Sequence, residues 1–252
     1  MTRKEVINKV LNIAVEEIGY IEKASNSQLD EKEANIGDKN FTKYARDCFP
    51  ELQGLSWCCM FIWWIFEKAY GKIMAQNILG MKTAKCSYLC EHMQKVDIEN
   101  IDIGDIIFFK NEGGINHIGI IDCIVNNDVW TIEGNTSRKN ENSVIANGGG
   151  IFSRYYNRYN PRIACVCRPR YDYLYDEKEE EKYIPEYNAE INAYNVNIRM
   201  GAGVEYRKVG QETKGYKLKI MSEELDRTHR KWYKFEYKGA YSYICADYIK
   251  RI

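Results

Sequence analysis

Residues 55–70 read LSWCCMFIWWIFEKAY. From Trp57 onward, apolar side chains fall on nearly every side of a helical wheel: Met60, Phe61, Ile62, Trp63, Trp64, Ile65 and Phe66. A helix that is apolar all round lies in the middle of a domain, not on its surface. Ser56 is placed to cap its start and Gly71 to end it. Upstream, Val6, Ile7, Val10, Leu11, Ile13, Ala14, Val15 and Ile18 have the spacing of an amphipathic helix ending near Gly19. The polar stretch 24–39 reads as a loop or a second short helix. Asn40 to Tyr44 and a loop containing Pro50 then lead into the buried helix.

Downstream the pattern changes to period two. Strands are predicted over 105–110, 117–125, 129–135, 151–156 and 163–168, rich in β-branched and aromatic residues, with Pro169 closing the last. Asn126, Asn127 and Asp128 make the turn between the second and third. Helices first and a run of antiparallel strands afterwards define an α+β domain.

The 252 residues hold 36 basic and 36 acidic side chains. That balance argues against a nucleic-acid-coating or polybasic membrane-surface protein. No run reaches the ~18–20 apolar residues that cross a bilayer, so no stable membrane insertion is expected. The N-terminal segment lacks the continuous apolar core of a secretory signal. The charge is unevenly spread. Residues 1–170 are neutral, 171–190 carry 2 basic and 8 acidic residues, and 191–252 carry 13 basic and 7 acidic ones. The middle piece, with EKEEEK at 177–182, has the composition of a solvated linker. The last piece alternates short strand-like runs with Gly and polar turns, as a small all-β barrel would.

Nine cysteines without a secretory signal do not suggest a disulfide framework, and most are expected as small buried hydrophobes. Cys86, Cys90 and His92 resemble half of a zinc site, but the partner half is missing and Cys165-x-Cys167 falls in a strand. Neither a metal nor a cofactor is expected.

Cys58 opens the buried helix, where the helix dipole and free N–H groups favour a thiolate. Its natural base is His117, on a strand with Gly119 two residues on and facing the same way. The group orienting the imidazole is Glu133 or Asn135, which share one face of the next strand. With a three-residue turn at 126–128, Gly119 would pair with Asn135 and Ile121 with Glu133. His117 would then lie one diagonal step from Asn135. Cys59 points about 100° away around the helix and stays in the core. His92 and His229 are read as surface or structural.

Four fragments occur in order: Trp57-Cys58-Cys59-Met60-Phe61-Ile62, Gly104-Asp105-Ile106-Ile107-Phe108-Phe109, Asn116-His117-Ile118-Gly119-Ile120 and Thr131-Ile132-Glu133-Gly134-Asn135-Thr136. Together they resemble the CHAP family of cysteine, histidine-dependent amidohydrolases/peptidases, over roughly residues 1–170. The resemblance implies a papain-like peptidoglycan hydrolase with Cys58 as nucleophile, His117 as base, and Glu133 and Asn135 in the third role. Some members bind calcium in an acidic loop before the cysteine. Here residues 44–57 offer only Asp47 and Glu51, so calcium is not implied. Residues 196–203, 231–235 and 243–249 resemble a bacterial SH3-like cell-wall-binding module, which gives a division into 1–170, a linker 171–190, and 191–252. That pairing resembles a phage or prophage endolysin, cytoplasmic until lysis, monomeric by default, with peptidoglycan as its partner. Candidate substrate contacts are Asn40, Tyr44 and Trp57 before and at the nucleophile, and Trp232 and Tyr233 in the tail. Muramoyl-alanine amidase and peptide endopeptidase activities both fit. The alternatives are a non-enzymatic wall-binding protein and a cysteine acyltransferase or deamidase acting on a protein.

Overall fold

The computed structural model describes residues 1–137, 149–175, 187–226, 228 and 230–252. The chain forms two compact units, Met1–Glu179 and Glu180–Ile252. In the first, helix α1 (Arg3–Glu17) starts with a capping box, in which Thr2 and Glu5 each bond the other's backbone N–H. It buries Val6, Ile7, Val10, Leu11 and Ala14. No helix forms over 24–39; isolated bridges from Lys23 to Ile36 and Phe41 tie that stretch down. A short helix α2 (Lys43–Cys48) and a 3-10 turn (Pro50–Leu52) follow.

The central helix α3 spans Cys58–Tyr70, and every residue from Cys58 to Phe66 is buried. It ends at Gly71, at φ 80°. Ser56 is not its cap. Trp57 takes that position and no side chain caps the first turn. The Ser56 hydroxyl instead accepts a hydrogen bond from Asn135 Nδ2 at 3.1 Å. Helices α4 (Lys72–Leu79) and α5 (Cys86–His92) were not foreseen, because elements this short show no usable periodicity.

Six strands form one antiparallel sheet: β1 (Gln94–Val96), β2 (Ile106–Asn111), β3 (Gly114–Val125), β4 (Asp128–Thr136), β5 (Gly150–Asn157) and β6 (Ile163–Arg168), in the order β1-β6-β2-β3-β4-β5. Alternation sorts its faces. Ile106, Phe108, Ile118, Ile120 and Ile132 pack with the helices, whereas Ile107, Phe109, Ile121, Val129 and Val166 build a smaller cluster. The helix-plus-sheet arrangement is the α+β architecture expected.

The register differs from the expectation. Val125 pairs with Asp128, so the turn holds two residues, Asn126 and Asn127. An irregularity between Ile121 and Cys123 then shifts the pairing further, and Ile121 meets Thr131 rather than Glu133. Gly119 consequently lies beside Glu133, not Asn135.

The second unit is all β: β7 (Tyr187–Ile191), β8 (Val196–Arg199), β9 (Lys208–Glu212), β10 (Lys217–Leu225), β11 (Lys231–Tyr237), β12 (Ala240–Cys245) and β13 (Ile249–Arg251). Ala189, Ile191, Ile198, Ile220, Phe235 and Ile244 form its core. The order is β13-β7-β10-β11-β12-β8-β9. Among the described residues β9 pairs only with β8 and β13 only with β7, so the sheet is open there and closure into the expected barrel is not seen. Of the stretch expected as a linker, Tyr171 is buried in the first unit and stacks on Phe66, while Tyr187 begins β7. The acidic run 177–182 lies outside the described residues.

Helix α3 presses onto β4 at Gly134, where an added Cβ would come within 2.8 Å of Phe61 Cβ. The replacement Gly134→Ala is expected to cost about 1–3 kcal/mol through overpacking. Urea unfolding of the full chain measures this, and an unchanged midpoint would refute the close approach.

Candidate active site

Three elements bring the site together. The thiol of Cys58 sits in the first turn of α3, His117 lies on β3, and Glu133 lies on β4. His117 Nε2 is 2.8 Å from Glu133 Oε2, and both side chains are wholly buried. Thr131 Oγ1 donates to Glu133 Oε1 at 2.6 Å, and the Tyr156 hydroxyl donates to Oε2 at 3.2 Å. Thr131 and Glu133 are two residues apart on one strand, so they share a face. A Cβ on Gly119 would come within 2.7 Å of Glu133 Cγ, so the glycine is what lets this carboxylate lie against β3.

With Nε2 taken by Glu133, the interaction with Cys58 falls to Nδ1, and it is too loose to count as a well-formed hydrogen bond. Loose geometry of this kind is common before substrate tightens a site. Burial opposes the imidazolium, but Cys58 and Glu133 outweigh it and raise the His117 pKa to about 10. Cys58 is itself only 4% exposed. Cys86, with its sulfur 3.6 Å from that of Cys58, and burial together push the Cys58 thiol up, while His117 pulls it down.

Asn135 is not on the imidazole. It stands at φ 57°, a left-handed conformation that asparagine tolerates, and links Ser56 to the Gly149 N–H. It thereby ties the end of β4 to Ser56, two residues before α3 begins. Cys59 donates to the Thr83 carbonyl at 3.3 Å, in the core. Trp57 and Tyr44 are fully buried and stacked at 5.4 Å. Trp57 Nε1 donates to Glu22, and the Tyr44 hydroxyl to Glu17. The structure thus places both in the core. Asn40 is half-buried, at φ 57°. In the second unit Trp232 is buried, bonded to Asp226, and Tyr233 meets Tyr187 edge-on. His92 is exposed, and His229 lies outside the described residues. Asp47 is held by Arg46, Trp64 and Lys68.

The sequence reading missed Thr131, Tyr156 and Cys86. The T-x-E spacing could have exposed Thr131. Tyr156 needed the β4–β5 pairing, and nothing in the sequence places Cys86 against Cys58.

Residues 51–135 match the CHAP domain, a span that contains Cys58, His117, Glu133 and Asn135. No curated protein matches the chain. Among solved structures, the chain is similar to Ly7917 crystallised with the hydrolysing product of MDP (12% identity, TM-score 0.37, covering 95% of this chain and 92% of that one). It is also similar to an NLP/P60-family, lipoprotein-like protein of Staphylococcus aureus (14% identity, TM-score 0.35, covering 66% of this chain and 41% of that one). A third is the antimicrobial peptidase lysostaphin of Staphylococcus simulans (13% identity, TM-score 0.22, covering 61% of this chain and 78% of that one).

Two outcomes follow from the electrostatics. The His117 pKa is raised from 6.5 to about 10, so its imidazolium contributes stability that is complete below 6.5 and lost as pH rises through 10. Unfolding free energy should therefore fall across that window, and Glu133→Gln should flatten the fall; identical profiles would contradict the pairing. Separately, Cys86→Ala should lower the Cys58 pKa and speed its alkylation at neutral pH. Iodoacetamide rates against pH, with the modified peptide identified by mass spectrometry, give the answer; a slower reaction would count against the assigned cause.

Proposed function

We propose that the first unit is a thiol hydrolase that cleaves an amide or peptide bond of bacterial peptidoglycan. The observation that carries this reading is the buried His117–Glu133 pair beside Cys58, inside the span that matches the CHAP domain. The Cys58 thiolate attacks the carbonyl carbon. The oxyanion forms at the first turn of α3, whose N–H groups no side chain caps. His117 Nδ1–H gives its proton to the leaving amine while Glu133 keeps the ring fixed through Nε2. The same nitrogen then takes a proton from water, and the thioester is hydrolysed. Because Cys58 and His117 are buried, substrate entry must open this region, and the displacement of Cys86 from Cys58 is the change that would free the thiolate.

The second unit is read as a wall-binding module related to bacterial SH3-like domains. Its support is the sequence resemblance and its basic charge, which suits a polyanionic wall. An endolysin role belongs to the same reading.

Cys58→Ala should abolish release of new amines from purified cell walls while wall binding persists. Glu133→Gln should lower the rate by about 10²–10⁴-fold, because the ring loses its anchor. Mass spectrometry of the digest separates the bond classes: a lactyl-ended glycan means amidase, and cut peptides still attached to glycan mean endopeptidase. Undiminished hydrolysis by Cys58→Ala would overturn the mechanism.

A further inference from the structure

Away from this site, three thiols converge. Cys90 comes from α5, and Cys165 and Cys167 from β6. Their sulfurs all lie within 4.8 Å of one another, with Cys90 to Cys165 at 2.6 Å and Cys165 to Cys167 at 4.0 Å. The arrangement has a simple cause. Residues two apart on a strand face the same way, so both β6 thiols look toward the helical layer. The chain leaving α5 enters β1, which pairs with β6 so that Lys95 lies opposite Cys167. That crossing carries Cys90 over the pair. Zinc bound to thiolates at ~2.3 Å in a tetrahedron sets its sulfurs a little under 4 Å apart, so ~1 Å of adjustment suffices to seat an ion.

We propose that Cys90, Cys165 and Cys167 bind one zinc-class divalent ion, with three thiolates from the protein and a fourth ligand from solvent. The open side is that of Cys165, which is only partly buried. A divalent cation displaces the thiol protons, as soft metals do. Lys95 offsets the excess negative charge of a three-thiolate site. The ion would pin α5 to β6. Because α5 begins with Cys86, it would also hold Cys86 against Cys58, although the metal site does not depend on the proposed hydrolytic activity.

The test uses the full chain, reduced and handled without oxygen. Titration with Co²⁺ alone should produce sulfur-to-cobalt charge-transfer absorption that saturates at one ion per chain and is displaced by Zn²⁺. Cys167→Ser and Cys165→Ser should each lose that absorption, and Cys86→Ser should keep it. In the wild-type chain, which avoids any question of misfolding, Zn²⁺ should protect Cys90, Cys165 and Cys167 from maleimide, as mapped by mass spectrometry. The proposal is overturned if no charge-transfer band appears, if it survives both serine variants, or if Zn²⁺ protects Cys58 and Cys86 but not the trio.

Discussion

A carboxylate sealed from water is the constraint on which the first unit turns. Glu133 is fully buried, and its oxygens must be satisfied by protein groups or the fold pays a heavy desolvation penalty. Three donors from three different strands meet that demand: His117 on β3, Thr131 on β4 itself and Tyr156 on β5. Satisfying the carboxylate therefore sets the register of the sheet's centre and aims the imidazole in one step. The space it needs comes from Gly119, and the helix that carries the thiol reaches the same strand because Gly134 admits Phe61. Structure and site are stabilised by the same bonds.

Much of this was legible in the sequence, and the lapses have physical causes. The all-apolar stretch 57–66 could only be a central helix, and the period-two runs could only be strands. Cys58, His117 and Glu133, which the fold brings together, were singled out from those elements and from ordered fragments. The pairing of β3 with β4 was misjudged because a turn of two residues and a turn of three are both compatible with Asn-Asn-Asp, and an irregularity near Asp122 leaves no mark in composition. Ser56 has the right chemistry for a cap, yet Asn135, 79 residues away, engages its hydroxyl. Local propensity cannot anticipate a distant competitor. The acidic, Tyr-rich stretch looked like a tether throughout, but Tyr171 is bound into the core by its ring and by a hydrogen bond to the Gly104 carbonyl.

The cysteines show how little residue type says without neighbours. Cys59 is a core thiol bonded to a carbonyl, and Cys48 lies beside Glu67, whose charge adds to burial in pushing its thiol up to about 12. Cys58 differs from both by having an imidazole within reach. Only the fold, which sets Cys90 75 residues from Cys165 in sequence and beside it in space, separates these roles.

The uncapped start of α3 also has a consequence for how the chain is made. A helix without a cap, rich in Trp, Ile and Phe, draws its stability from packing rather than from its own first turn. That packing includes Ile118, Ile120 and Ile132, which leave the ribosome long after α3 does. The helix that carries Cys58 therefore waits for β3 and β4, and the thiol meets the His117 imidazole only once the sheet exists. A nascent or truncated chain ending before β4 would leave Cys58, His117 and Glu133 unassembled, so synthesis itself delays their meeting.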